Sequence, residues 1–323
     1  MPFAKVAIAL ATLTMLGLST ASAAADAYPS RAIRLVIPFA AGGPADIVGR
    51  EIARQMTEDL GQPIVIVNAG GGHGVPALNQ VLGAPADGYT LFMPASGNLT
   101  IPHPATKGLK LTEALVPVSQ LTASPHVLVI SKTIPARNLQ EFIAYAKAHP
   151  GRVNFGSAGT GGVAHLGMEM FKAQAQVDVV HVPYRGTSQA ITDLVPGTIH
   201  ALFSSMPSLK GMIDDGTITA IGMSGPSKGE SMQSIPVIAQ AGLPNMQYTT
   251  WYGLFAKAGT PVPVIERLNA AVQKAVSNPE LNQKLEPQGI DLVAGTPEAL
   301  AQLVTSESQK WTALIERENI QIE

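Results

Sequence analysis

The sequence predicts an α/β fold divided into two lobes, on three observations. Strand-like apolar runs alternate with helix-like segments through almost the whole chain, the pattern of layered α/β proteins. Once an N-terminal segment is set aside, about 300 residues remain, more than one ordinary hydrophobic core accommodates. No Pro/Gly/Ser-rich or charged stretch marks a single linker between halves. That absence suits a chain that crosses between lobes twice and binds its ligand in the crevice, where the carboxyl ends of parallel strands gather.

Residues 1–25 read as a secretory signal peptide. Lys5 supplies a positive start, "VAIALATLTMLGLSTASAAA" an apolar core, and Ala21-Ser22-Ala23 a small-residue cleavage pattern, with cleavage expected near Ala23 to Ala25. The apolar core is shorter than the roughly 20 residues of a membrane helix, and no Cys follows it for lipid attachment. Export to a bacterial periplasm follows. The chain has no cysteine, which excludes disulfides, thiolate metal sites and thiol nucleophiles. Formal charge is −2, and loss of Lys5 makes it −3; charged residues are 14% and form no basic run, which argues against nucleic acid.

The elements follow in order. "IRLVI" at 33–37 is a β-branched strand, Gly42-Gly43 turns the chain, and Pro44 suits the first turn of a helix over 45–60. Strands at 63–67 and 89–93 flank a helix at 75–83. Strands at 126–131, 153–155, 178–182, 200–203 and 218–223 alternate with helices at 138–148, 162–175, 187–195 and 207–214. Runs such as "IVIV" and "DVVHV" carry little polar alternation, as expected for parallel strands covered on both faces. A strand at 251–256 opens a mostly helical last third, with helices at 262–277, 279–286 and 297–316. Pro261 or Pro263 starts the first of these, and Thr296-Pro297-Glu298 starts the last.

Two glycine turns between strand and helix carry the chemistry. "PFAAGGPAD" lacks the Lys and Ser/Thr of a Walker loop and the G-x-G-x-x-G spacing. Gly42 and Gly43 allow a close backbone approach, and free N–H groups at the helix start favour a carboxylate as readily as a phosphate. Asp46 falls in that first turn, where capping and dipole pairing are its ordinary role. The second turn, "NFGSAGTGGVAHLGMEMF", contains Gly159-Thr160-Gly161-Gly162-Val163-Ala164, a literal G-x-G-x-x-A. A dinucleotide enzyme would want an acid at the end of the next strand, but Asp178 opens that strand. What survives is a second donor-rich helix start, with Ser157 and Thr160 hydroxyls and His165 one turn in.

Other strand ends add candidates. "VPYRG" presents Tyr184 and Arg185, Arg being the best side chain for bidentate carboxylate binding. "ALFSSMPS" presents Ser204 and Ser205, as ligand donors or as a cap for the next helix, and "PASGN" presents Ser96 and Gly97. Trp251 and Tyr252 either wall a pocket or pack in a core. Catalytic patterns are absent: there is no G-x-S-x-G, no H-x-x-x-H and no carboxylate pair at acid–base spacing. His181 reads as a satisfied core histidine. The expectation is binding without chemistry, with no cofactor and no metal.

The chain resembles the periplasmic solute-binding receptors of tripartite tricarboxylate transporters, the Bug-type receptors. The resemblance runs through "YPSRAIRLVIPFAAGGPADIVGREIA", "LGQPIVIVNAGGG", "APADGYTLFM", "NFGSAGTGGVAHLGMEMFK", "VVHVPYRGTSQAITDLVPG", "IPVIAQAGLP", "WYGLFAKAGTP" and "GTPEAL". It implies a two-lobe periplasmic binding protein, type II-like, a Venus flytrap with two interdomain crossovers. Lobe 1 would comprise 26–125 and 251–323, and lobe 2 would comprise 126–250. Carried over by position, ligand carboxylates would meet Phe39, Ala41, Gly42, Gly43 and Asp46 on one side. Ser157, Ala158, Gly159, Thr160, Gly161 and His165 would face them from the other, with Ser96, Gly97, Tyr184 and Arg185. The resemblance also implies a membrane permease partner and a monomeric receptor.

Three departures are visible. Phe203-Ser204-Ser205 stands where many such receptors have Phe-Asp-Asn, which removes an acid from the cleft. "NAGGGHG" at 68–74 loses an Arg of "RPGAGG", and "LTIPHPATKG" at 99–108 replaces a segment that often carries Asn-Pro and aromatics. Two donor-rich helix ends, Arg185 and few acids suit a ligand with a carboxylate at each end. An aromatic or small dicarboxylate, such as a phthalate-type diacid, is expected, the aromatic spacer if faces of Phe39, Trp251 or Tyr252 are exposed. The rival readings are a carboxylate-sensing receptor that signals through a membrane sensor, and an NAD-dependent oxidoreductase built on 159–164.

Overall fold

The computed structural model describes residues 28–322; the expected signal segment lies outside them. Two five-stranded sheets organise the chain. The first contains β1 (Ile33–Ile37), β2 (Ile64–Asn68), β3 (Thr90–Phe92), β4 (Leu115–Gln120) and β11 (Gly253–Lys257), in the order β2-β1-β3-β11-β4. β1 runs parallel to β2 and β3, with Ile33 opposite Ile64 and Arg34 opposite Thr90, while β11 is antiparallel to both neighbours. The second contains β6 (His126–Ser131), β7 (Val153–Ser157), β8 (Val179–Pro183), β9 (Ala201–Ser205) and β10 (Ile218–Met223), in the order β10-β6-β9-β7-β8. There β7 is parallel to β8 and β9, and β6 is antiparallel to β9 and β10. A small ladder joins β5 (Thr122–Ala123) to β12 (Asp291–Leu292).

Helices cover each sheet because their apolar stripes have nowhere else to go. Over the first sheet lie α1 (Pro44–Leu60), α2 (Val75–Leu82), α3 (Ser96–Thr100), α4 (Leu111–Ala114), and, beyond the second sheet in sequence, α9 (Val262–Val276) and α10 (Pro279–Leu285). Val48, Ile52 and Met56 of α1 share a core with Leu268 and Val272 of α9. Pro44 starts α1, and Gly61, at φ 68°, ends it by donating its N–H to the Thr57 carbonyl. Over the second sheet lie α5 (Leu139–Ala148), α6 (Val163–Ala175), α7 (Thr187–Leu194) and α8 (Lys210–Asp214). Phe142 and Phe171 fill one face, and Ala190 and Leu194 the other.

The chain passes between the sheets at 121–125 and again at 248–252. These two passes pair with each other: Ser124 and Thr250 exchange backbone hydrogen bonds of 2.8 and 2.9 Å. A third connection was not foreseen. Helix α11 (Pro297–Arg317), capped by the Thr296 hydroxyl on the Ala299 N–H, buries Leu300 and Val304 beside Trp251 and Phe255 of the first lobe. Its later turns bury Trp311 and Leu314 in the core of the second, Trp311 lying edge-on to Tyr248 with centroids 5.8 Å apart. Asn319, at φ 50°, then reverses the chain, so that Ile322 lies against Gly161.

Other expectations need correction. "IVIV" and "DVVHV" are not covered on both faces: β2 and β8 are outer strands, with Val65 50% and Val180 43% exposed. An edge strand with β-branched residues on its open face lacks polar alternation just as a buried one does. β4, "LVPVSQ", is not among the expected strands; it contains Pro117, which an outer strand tolerates. The helix expected over 207–214 is a short turn at Met206–Ser208 followed by α8. Trp251 does not wall a pocket: it is fully buried, and its indole N–H donates to the Glu307 carboxylate at 2.9 Å. No described helix is long and apolar enough to cross a membrane.

The two buried tryptophans separate packing from hydrogen bonding. Trp311 Nε1 has no acceptor among the described residues, whereas Trp251 Nε1 satisfies the buried Glu307. Both Trp→Phe changes vacate similar volume, but Trp251→Phe also removes the donor to Glu307 Oε2, leaving that carboxylate only Lys310 at 3.5 Å. It is expected to cost about 1–3 kcal/mol more than Trp311→Phe, measured by urea unfolding; equal losses would contradict the assigned role of Glu307.

Candidate ligand-binding site

Parallel pairing brings the carboxyl ends of β1, β2 and β3 to one edge of the first sheet. Those of β7, β8 and β9 share one edge of the second. The first glycine turn leaves β1 and enters α1. Gly42 sits at φ 82°, a conformation that side chains rarely adopt, with open space around it, so its role is to turn the chain. Asp46, only 3% exposed, points back into this turn. Its Oδ2 accepts from the Gly42 N–H and from Arg50 Nε, both at 2.9 Å, and its Oδ1 accepts from Asn68 Nδ2 at 3.1 Å. Asn68 Nδ2 also donates to the Phe39 carbonyl at 3.2 Å. The Arg50 hydrogen bond, then the Gly42 amide, hold the Asp46 carboxyl down at about 2. Asp46 therefore shapes the loop, leaving the amides of Ala45 and Asp46 as free donors of the first turn. Ala41 and Gly42 are exposed, and Phe39 and Gly43 half-buried.

The second turn, from β7 into α6, has Gly159 at φ 129° and Gly161 at φ 78°. The Ser157 hydroxyl donates to the Gly159 carbonyl at 2.8 Å and lies 2.6 Å from His181 Nε2. Ser157 Oγ also accepts the Gly159 N–H at 3.3 Å, so the hydroxyl ties the turn to the His181 ring on β8. His165 Nδ1 accepts the Gly161 N–H at 3.0 Å, and its Nε2 faces Glu169 at 3.7 Å. The two imidazoles stack 3.8 Å apart, with Phe155 4.7 Å beyond His181. His165 thus supports the turn from beneath. Ala158 is exposed and Thr160 half-buried at the loop surface, and Val163 and Ala164 begin α6 with free N–H groups.

The remaining candidates divide by how their polar atoms are used. Tyr184 donates its hydroxyl to Asp193 Oδ2 at 2.7 Å, and burial followed by that bond raises it to about 12. Arg185 is exposed, and its guanidinium has no carboxylate partner among the described residues. Ser205 caps the following turn by position, but its side chain makes no capping bond. Ser204 is buried at the end of β9. Ser96 is fully buried, and its hydroxyl has no partner among the described residues. Beside it, a Cβ on Gly97 would lie 3.3 Å from Val163 Cγ2, so the first lobe meets the start of α6 here. Phe39 and Tyr252 are half-buried and pack edge-to-face at 6.4 Å.

Sequence reasoning overlooked Asn68 and undervalued His181. Asn68 was findable, because pairing β1 with β2 in register sets it opposite Ile37, next to the first turn. The dinucleotide alternative has no geometric support: Asp178 lies beside Gly151, at the other end of β7 from the 159–164 turn.

Acid should loosen the two turns at different pH. Burial lowers His73, His126 and His181 to about 4, from an ordinary value of 6.5. Between those values the unfolded chain takes up protons that the folded chain refuses, so stability falls as pH drops from 6.5 through 4. Asp46 behaves otherwise: its contribution is complete above 3.8 and is lost only as pH falls through about 2. Melting temperature should decline between pH 6.5 and 4, and His181→Gln should flatten that decline. Asp46→Ala is expected to lower stability by at least about 2 kcal/mol at pH 7, measured by urea unfolding.

A family model described as the tripartite tricarboxylate transporter family receptor matches residues 48–320. A protein of Pseudomonas sp. (strain P51), from the tcbD-tcbE intergenic region, is 36% identical over 316 residues, 95% of this chain and 91% of that protein. The structure of Rpa4515 of R. palustris with adipate is similar at a TM-score of 0.79 and 28% identity, covering 92% of this chain and 100% of that one. MatC of Rhodopseudomonas palustris with bound malate has a TM-score of 0.74 and 31% identity, covering 89% of this chain and 100% of that one. The chain belongs to the tripartite tricarboxylate transporter receptor family, and it is a solute-binding receptor, not an enzyme.

Proposed function

We propose that this receptor captures an organic dicarboxylate in the periplasm, one carboxylate at each glycine turn, and presents it to a membrane permease. The observation that carries this reading is that two helix starts with free amides, α1 and α6, each follow the carboxyl end of a parallel strand, one in each sheet, with Gly97 of the first lobe packed close enough to the start of α6 that an added Cβ would lie 3.3 Å from Val163. Exposed Arg185 and the half-buried Ser205 hydroxyl add donors, and both Asp46 oxygens are engaged within the protein. Adipate and malate, held by two similar receptors, are both diacids. Phe39 and Tyr252 offer ring faces to an aromatic spacer; Trp251, being buried, does not.

Lobe 1 is taken as 26–125 with 251–323, the end of α11 and the residues after it packing across onto lobe 2, and lobe 2 as 126–250, for a monomeric receptor exported by cleavage near Ala23. The ligand docks on one lobe, and the other lobe completes its hydrogen bonds, so differential affinity drives closure. Charge-assisted bonds are worth roughly 1.5–3 kcal/mol each, so a few suffice for micromolar binding, about −8 kcal/mol.

A melting screen of ligand-stripped protein against adipate, malate, phthalate and terephthalate tests the reading, because binding to the native state alone raises the melting temperature. Shifts confined to diacids support it; no shift with any carboxylate removes it. Arg185→Ala is expected to weaken the best diacid at least about tenfold, the equivalent of 1.4 kcal/mol; unchanged affinity by calorimetry would take Arg185 out of the site.

A further inference from the structure

Two segments, "NAGGGHG" at 68–74 and "LTIPHPATKG" at 99–108, meet in space. His73 and His103 stack with centroids 4.0 Å apart and planes 2° apart. Each ring sits on a fixed backbone. Asn98 Nδ2 donates to the His73 carbonyl at 3.1 Å, and His103 Nδ1 accepts the Ala105 N–H at 3.0 Å. The stack thereby sets the path of residues 99–113, which stand off from α11 and leave a groove of about 780 Å³. Ile101, Leu109, Ile315 and Ile320 line it, and Leu109 is 42% exposed. None of the glycine-turn residues does. The charge is one-sided: Lys110 is paired with Glu113 at 3.0 Å, which leaves Lys107 with no carboxylate among the described residues. The opposite wall contributes only neutral Ser308 and Thr312 as polar groups.

We propose that this groove is a second binding site, separate from the crevice between the glycine turns, for an amphipathic monocarboxylate. A hydrocarbon chain or ring lies between Ile101, Leu109, Ile315 and Ile320, and its carboxylate is held by the Lys107 ammonium. Volume and lining are those of a small-molecule site, a few hundred to about 1,000 Å³ of mostly apolar wall with few polar groups. One unpaired cation matches one carboxylate, whereas the crevice offers donors at two ends.

The test titrates the mature protein with dansyl-undecanoate, whose emission rises in apolar surroundings, with and without millimolar adipate. The expected result is saturable binding of one probe per chain, unaffected by adipate and weakened at least tenfold in Lys107→Glu and in Ile315→Asp. Lys107 is exposed, so its variant keeps the fold, and circular dichroism verifies both. Displacement by adipate would overturn the proposal by assigning the probe to the crevice. Absence of saturable binding, or equal binding of the neutral dansyl-undecanamide, would overturn it too. Loss of uptake in Lys107→Glu without any probe binding would assign the surface to a protein partner instead. Repeating the diacid melting screen in Lys107→Glu distinguishes the two sites, because a diacid shift kept in that variant belongs to the crevice and one lost in it belongs to the groove.

Discussion

The geometry of the first turn depends on one buried carboxylate. An ionised group with almost no solvent contact must be met by donors or it neutralises. Asp46 is met by a loop amide, a guanidinium and a side-chain amide from the neighbouring strand. That set ties together the turn, the helix and β2. It also explains how an acid can stand at a helix start that serves anions. Arg50 compensates the charge of Asp46, so the field left at the surface is that of the helix end.

The second turn reaches a similar backbone shape by neutral means. Ser157, His181 and His165 use hydroxyl and imidazole groups where the first lobe uses an ion pair, and the rings are stacked on Phe155. A ligand spanning both lobes would thus be held by one turn whose frame is fixed by an ion pair and another whose frame is fixed by hydroxyl and imidazole hydrogen bonds. The two frames differ in what disturbs them, although both serve to aim backbone N–H groups.

Much of this architecture was legible in the residues. β-branched runs marked β1, β6 and β10, and Pro44, Thr296 and the glycine turns marked helix boundaries, because caps and turns are local chemistry. What could not be read depends on partners distant in sequence. Pro117 is harmless only because β4 lies at an edge, and Val65 and Val180 are exposed for the same reason. Trp251 is withdrawn from the crevice by Glu307, 56 residues away, and α11 shows one amphipathic pattern although its two halves enter different cores. The candidate donors were named from their position at strand ends; whether Asp46 or His165 faced a ligand or the protein was decided by Arg50, Asn68 and Gly161.

The position of β11 between β3 and β4 has a consequence for how the protein assembles. The second sheet is drawn from one unbroken stretch, from His126 to Met223, and can form as soon as that stretch is available. The first sheet cannot close until Gly253–Lys257 arrives to fill its gap, and α11 comes later still. Long sequence separation makes such pairing slow. The lobe synthesised first is therefore the lobe finished last, and until then the exposed edges of β3 and β4 are open to wrong partners. Docking of β11 and then α11 ends that vulnerability.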